Sequence, residues 1–386
     1  MNTDEYKLFI SECKKSIGKS KPIDVTFDDK NINNLIFKNY YVARQKAANI
    51  RQKYINIIDE LLVSFEKKSI ENGVDISWCV DYDILIEEVV ELLNDRKIKE
   101  VNLFETKFTN ELGLHKNLKD EEISIISQNN KCVIFEPKYA ISQSGSLFLV
   151  FNSAFEMELV LNAELKIFVI PFSNIIKNIE DIQLLTNLYS SNNEKKDFPY
   201  LSTIYTPKKS DDKNIKIFIV DNGRTNLLES KSHRMALTCI DCDACKKVCP
   251  IYGVIGDNPY NNVFTGPIAN VTLPYLETID SYKHLSFNCV LCGNCKKVCP
   301  MNIPITDLII SNRNIFFERK YIDFNDRYKI KILKNNLISR KKLNRKHWIK
   351  ELLFRFYFSK KVASSRELPK FSKYTFEQIK SGKWKK

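Results

Sequence analysis

Most of the signatures by which a chain of this size declares its chemistry are missing from these 386 residues. There is no G-x-G-x-x-G turn and no P-loop, which removes the case for a bound nucleotide. No serine sits in a nucleophile motif. Only four histidines occur, His115, His233, His284 and His347, and they make no ligand-spaced pair. No apolar run approaches the roughly 18 residues of a membrane span. The opening stretch, which carries Asp4 and Glu5, has no apolar segment of signal-peptide length. A cytoplasmic location is therefore expected. The cytosol keeps thiols reduced, so the eleven cysteines are read as metal ligands before disulfides.

What is present begins with ordinary bulk. A chain with 44% hydrophobic residues buries a normal core and has the length for two domains plus a tail. The net charge of +13 is concentrated at one end. Residues 313–386 hold 23 Lys and Arg against 6 Asp and Glu, which leaves the rest of the chain at −4. A mildly acidic body with a basic tail reads as a globular protein with one docking segment, and no nucleic-acid partner is expected.

Residues 1–39 are polar and rich in Asn and Lys, and are expected to form a loose arm. From Tyr40, the positions Ile50, Tyr54, Ile57, Leu61 and Phe65 recur at helical steps until Asn72-Gly73 ends the run. Val74 to Val80 alternates as a strand, Ile84 to Leu93 is helical, and Val101 to Phe104 is a second strand. Further strands are read at Cys132–Phe135, Leu147–Phe151, Lys166–Ile170 and Ile215–Val220, with a surface loop at Ser190–Asp197. This alternation predicts an α/β domain with a largely parallel sheet over residues 40–228. A cysteine-bearing, mainly helical domain over 229–312 and a basic aromatic tail over 313–386 follow.

Two runs carry the chemistry. Cys239, Cys242, Cys245 and Cys249 stand before Pro250; Cys289, Cys292, Cys295 and Cys299 stand before Pro300. Each is a complete C-x2-C-x2-C-x3-C-P run, in which three close thiolates take three iron corners of a cubane and the fourth cysteine serves the other cluster. The spacing therefore predicts two [4Fe-4S] clusters with crossed ligation, Cys239, Cys242, Cys245 and Cys299 on one, Cys289, Cys292, Cys295 and Cys249 on the other. Pro250 and Pro300 lack an N–H and turn the chain away from the clusters. Structural zinc is the competing reading, but four cysteines in one tight run are a poor tetrahedral donor set. Lys246, Lys247, Lys296 and Lys297 lie inside the runs, either as cations that raise the cluster potentials or as solvated helix faces. The 39 residues between Cys249 and Cys289 exceed what a small ferredoxin needs, and the domain is similar to the helical dicluster domain of succinate dehydrogenase iron–sulfur subunits. Cys13, Cys79 and Cys132 are isolated, and the last two lie in apolar strands, where a free cysteine packs as a small hydrophobe.

The strand ending Val220-Asp221-Asn222-Gly223-Arg224, the spacer with Gly266-Pro267-Ile268 and the tail with Arg366-Glu367-Leu368-Pro369 together resemble the lactate-utilisation protein B family. The resemblance implies that the α/β part is a LUD domain, similar in fold to ribose-phosphate isomerase and CoA-transferase-type sheets. It also implies that the chain works with other subunits of a lactate-oxidation system, passing single electrons as L-lactate becomes pyruvate. Glycolate oxidase and heterodisulfide-reductase-like complexes, and a zinc-stabilised nucleic-acid-binding module, are the alternatives. Where the family carries a glutamate, this chain has Gln143 within Ala140–Gly145, and an amide cannot act as a general base. The stretch between Glu105 and Lys131 is also short for the family. Both departures imply a scaffold with no catalytic centre of its own, with Gly145 and Gly223 permitting tight turns. In the tail, Trp348, Ile349, Leu352, Leu353, Phe356 and Tyr357 lie among Lys346, Lys350, Arg355, Lys360 and Lys361. Such a helix lies on an anionic membrane, packs on a partner subunit or packs on its own body.

Overall fold

The computed structural model describes residues 4–17, 37–126, 131–192, 201–208 and 214–339, with 351–352, 355–356, 372, 374 and 376–382 near the C-terminus. Two compact units divide the chain, Met1–Tyr321 and Ile322–Lys386.

In chain order the strands are β1 (Asp75–Cys79), β2 (Glu100–Leu103), β3 (Ser124–Ile125), β4 (Cys132–Phe135), β5 (Tyr139–Ile141), β6 (Ser146–Val150), β7 (Leu165–Pro171), β8 (Ile175–Ile176), β9 (Ser202–Tyr205) and β10 (Ile215–Val220). Among the described residues they form a six-stranded sheet of order β1-β10-β7-β4-β2-β3 and a four-stranded sheet of order β8-β5-β6-β9. Every pairing in the larger sheet is parallel, with Ile217 opposite Phe168 and Ile134 opposite Ile167. The alternation along its strands explains why they read as unbroken apolar runs. Val133, Phe135, Phe168, Ile170, Ile217 and Ile219 enter one core, while Cys132, Ile134, Ile167, Val169, Phe218 and Val220 enter the other. A sheet covered on both faces has no polar side to show.

Helix Tyr82–Asp95, capped by the Asp81 side chain on the Ile84 N–H, covers the second face with Leu85, Val89 and Leu93. Helices Tyr40–Asn56, Ile58–Glu71 and Glu180–Asn192 and the smaller sheet cover the first. The single helical run read from Tyr40 breaks at Ile57, whose backbone leaves the helical region at φ −119. The segment between Glu105 and Lys131 still supplies helices Lys107–Glu111 and Leu114–Asp120 and the edge strand β3. Cys79 and Cys132 are buried in the sheet core as small hydrophobes, and burial pushes both thiols up to about 12.

The cysteine-bearing segment docks on the first face of the sheet, where Cys242, Ala244, Val248, Val271, Cys295, Val298 and Cys299 join the same core as β4 and β7. Both parts thus lie within the first compact unit. The opening stretch is anchored rather than loose where it is described. Helix Asp4–Ser16 buries Phe9 and Cys13 against Ile255, Tyr260, Leu273 and Leu285, while residues 18–36 lie outside the described set. Helix Glu180–Asn192 runs into the segment read as a loop at Ser190–Asp197, whose residues 193–197 lie outside the described set.

In the second unit, helix Phe324–Leu337 exposes Phe324, Tyr328, Leu333 and Leu337. Of the aromatic tail helix read at 346–361, Leu352 and Phe356 are described and exposed; Trp348, Ile349, Leu353 and Tyr357 lie outside the described residues, as does Arg366–Pro369. Among the described residues no helix is long and apolar enough to cross a membrane.

Candidate functional site

The two cysteine runs fold alike. In the first, Asp241 and Asp243 adopt left-handed φ of 55 and 57; in the second, Leu291 and Gly293 do so at the same offsets, with φ of 58 and 83. Three of the four are not glycine, and each such residue carries a conformational cost of about 1–2 kcal/mol. Left-handed residues at every second position help turn successive N–H groups into one concavity, the shape that receives an anion such as an iron–sulfur centre. Four sulfurs each accept a backbone N–H, two of them from these turns. Asp241 N–H reaches Cys239 Sγ at 3.5 Å, Leu291 N–H reaches Cys289 Sγ at 3.3 Å, Tyr252 N–H reaches Cys249 Sγ at 3.4 Å and Ile303 N–H reaches Cys299 Sγ at 3.4 Å.

Packing of the short helices Ala244–Lys247 and Asn294–Val298 against each other brings the runs together. Cys299 lies within electrostatic reach of Cys242 and Cys245, and Cys239 of the same two. Cys249 instead faces Cys289 and Cys292, and Cys295 faces all three. Two groups of four thiols result, adjacent through Cys245 and Cys295. Burial drives the thiols of Cys242 and Cys295 up to about 12 and raises Cys239, Cys245, Cys249 and Cys299 as well. Thiolate ligands must be deprotonated, so loading such a site releases protons. Among the described residues no three His, Cys, Asp or Glu side chains converge on one metal ion. A cubane spreads its ligands over separate iron corners and needs no such convergence.

Three arginines that the sequence reading missed stand at these groups. Arg44 donates to the Cys299 carbonyl through Nε at 3.1 Å and Nη2 at 2.6 Å. Arg313 donates to the Cys289 carbonyl at 2.6 Å and the Ser286 carbonyl at 2.8 Å. Arg51 is fully buried, spends Nη2 on the carbonyls of Ser173 and Leu237, and leaves Nε and Nη1 without a partner. Its guanidinium lies within electrostatic reach of Cys239. Buried orphan donors on a cation are costly. A negatively charged cluster at Cys239 is the kind of group that would satisfy them. The one available signal was that Arg44 and Arg51 are seven residues apart, on the buried side of their helix with Ala47, Ala48, Tyr54 and Ile55. Of the lysines inside the runs, Lys246 is drawn between Asp243 at 3.3 Å and Asp257 at 3.7 Å, Lys296 pairs with Asp307 at 2.6 Å, Lys297 is exposed and Lys247 is half-buried. Pro250 opens helix Pro250–Ile255, and Pro300 is buried beside Cys299.

A cavity of about 270 Å³ lies between the carboxyl ends of the parallel strands and the first thiol group. Thr106 and Lys107 follow β2, Glu136 and Lys138 follow β4, Pro171 ends β7, and Cys239 and Ile268 close the far side. Burial above all pushes the Glu136 carboxyl up to about 7, with Asp241 adding to the rise and Thr106, Lys138 and Arg224 opposing it. Lys107 pairs with Asp243 at 2.8 Å, and the buried Arg224 grips Glu111 with two nitrogens at 2.7 and 2.9 Å. Gln143 is exposed in the turn between β5 and β6 and does not line this cavity.

Comparison with known proteins follows this architecture. The LUD domain family matches residues 30–226, and a 4Fe-4S dicluster domain matches residues 235–303. Lactate utilization protein B of Geobacillus sp. strain WCH70 is 30% identical over 223 residues, 56% of this chain and 46% of that protein. The protein of the same name from Bacillus cytotoxicus is 31% identical, covering 56% and 44%, and that of Macrococcus caseolyticus is 28% identical, covering 60% and 50%. The chain spans about half the length of the curated relatives it matches. Among solved structures, a DUF162 family protein of Deinococcus radiodurans aligns with 42% of this chain and 98% of its own at 12% identity and a TM-score of 0.32, too slight a likeness to argue from. With one match spanning half of its length and the other following directly behind, the chain belongs to the LUD-domain family, in a form that bears a 4Fe-4S dicluster domain after the α/β part.

Proposed function

We propose that this chain is the iron–sulfur electron-transfer component of a system that oxidises L-lactate to pyruvate, with two [4Fe-4S] clusters held by Cys239, Cys242, Cys245 and Cys299 and by Cys289, Cys292, Cys295 and Cys249. The observation that carries this reading is the sorting of the eight thiols into two adjacent groups, each completed by the last cysteine of the other run. The lactate part rests on the relatives' name.

When bound, such clusters accept and release one electron each. The chain's own residues do the rest. Arg44 and Arg51 at the first group and Arg313 at the second offset the negative charge that reduction adds, which favours the reduced state. The first group has no exposed cysteine, whereas Cys292 of the second is exposed between Val290 and Leu291 and the Gly293 turn. That edge is where a redox partner comes within reach. Anaerobically purified chain is expected to carry about eight iron and eight sulfide per molecule. Stoichiometric zinc without sulfide overturns the reading.

A further inference from the structure

The cavity between β2, β4 and Cys239 is not a gap left over from packing. In an open parallel sheet, ligands bind outside the carboxyl ends of the strands where neighbouring strands connect in opposite directions. Here β2 leads outward to β3 at the edge, while its neighbour β4 leads the other way to β7. The cavity opens between those two strand ends and takes residues from both. Its volume of about 270 Å³ lies just under the range of drug-sized sites and suits a small metabolite.

The charges inside it point to the ligand's chemistry. Lys107 and Arg224 are already matched by Asp243 and Glu111. Asp241 is exposed, within electrostatic reach of Lys107 and Lys138. Lys138 and Glu136, two residues apart beyond β4, form no ion pair among the described residues, with each other or with any other side chain. Lys138 Nζ spends one donor on the Ile240 carbonyl at a long 3.5 Å and stands 4.7 Å from the centre of the Tyr189 ring. An ammonium in that position has donors to spare and no carboxylate to receive them. Burial works against the charge of this half-buried group, but Tyr139, Asp241, Tyr189 and Glu136 together outweigh it, so Lys138 is held as an ammonium. An anion entering the cavity meets those free donors, and the Glu136 carboxyl in the same lining adds a second hydrogen-bonding site.

We propose that this cavity binds a small carboxylate that carries an oxygen on its second carbon, a 2-hydroxy or 2-oxo acid, with the carboxylate on Lys138 and the second-carbon oxygen on Glu136. The assignment of acid class rests on the lactate-oxidation reading; the place and charge of the site rest on the geometry. It gives the α/β part a binding role, seated directly against Cys239, in place of a scaffold.

The test uses the full-length, cluster-loaded chain under anaerobic conditions and isothermal titration with four probes: L-lactate, pyruvate, propionate and propane-1,2-diol. L-lactate or pyruvate is expected to bind with a dissociation constant of about 1 mM or tighter. Propionate, which lacks the second oxygen, is expected to bind roughly tenfold more weakly, and the diol, which lacks the carboxylate, not measurably. Lys138→Met is expected to weaken binding at least about tenfold with iron and sulfide retained. Lys119→Met, which removes an exposed lysine elsewhere, is expected to leave binding unchanged. If Lys138→Met loses its clusters, Lys138→Arg together with the propionate comparison decides, and equal affinity for lactate and propionate overturns the proposal. Clusters that are present and reducible in a chain that binds neither acid sink the site and leave the electron-relay reading standing. Tight binding by a chain that never acquires iron does the reverse.

Discussion

Replacing Gly223 by alanine tests how closely the α/β part and the cysteine-bearing segment are joined. Gly223 sits just beyond β10 with φ of 80 and ψ of 0, and a Cβ there would stand 2.5 Å from the carbonyl oxygen of Leu276, at the end of helix Gly266–Leu276. The obstacle is backbone, so no side-chain rotation relieves it. The left-handed conformation costs an alanine about 1–2 kcal/mol, and forcing a methyl into a packed contact typically costs a further 1–3 kcal/mol. Gly113 is the control, since it is left-handed too, with φ of 61 and ψ of 23, and the one atom near an added Cβ is the movable Asn117 side-chain amide at 3.3 Å. Gly113→Ala carries the conformational part with little crowding. Urea unfolding of loaded protein, followed by far-ultraviolet circular dichroism, is expected to place Gly223→Ala about 1–3 kcal/mol below Gly113→Ala. Visible absorbance of the clusters is expected to fade at a lower urea concentration, because the displaced helix carries Ile268, which contacts Cys245. Equal stability of the two variants refutes the close-contact argument.

Three further outcomes follow from the same geometry. Cys249→Ser and Cys292→Ser are expected to perturb one electron-paramagnetic-resonance signal, and Cys299→Ser and Cys242→Ser the other; a signal shared by Cys249→Ser and Cys242→Ser instead means ligation local to each run. Arg51→Met is expected to lower the potential of the cluster at Cys239 by an amount on the order of tens of millivolts, because a buried cation that favours the reduced form is gone; a redox titration showing no shift refutes that role. Gln143→Ala, on an exposed turn, is expected to leave cluster content, acid binding and reduction unchanged, and loss of reduction with clusters intact contradicts it.

The parts legible in the sequence are those set by local rules. β10 was read at its observed limits and β4 likewise, because both faces are buried and the apolar run stops where the strand does. The eight cysteines declare themselves by spacing alone. The smaller sheet escaped notice, since β5 has three residues and β8 two, too few to show a period. Nothing local marks Arg44, because the carbonyl it holds, that of Cys299, lies 255 residues away in sequence. The cavity was hidden for the same reason. Glu136 and Lys138 become neighbours of Thr106 and Cys239 only through the order of strands in the sheet, which no stretch of residues displays by itself.

The helix Tyr40–Asn56 joins the two parts of the first unit in a way that bears on how current could flow. Through Arg44 and Arg51 it grips the carbonyls of Cys299 and Leu237, on either side of the first thiol group, while its apolar residues lie in the core shared with the sheet. A carrier on a swinging arm shortens its jump by moving; clusters held as proposed, fixed to the wall of the cavity, could not. On the proposed electron relay, transfer rates across this chain would be fixed by its architecture, and any throttle on the traffic would act through whoever delivers or collects the charge.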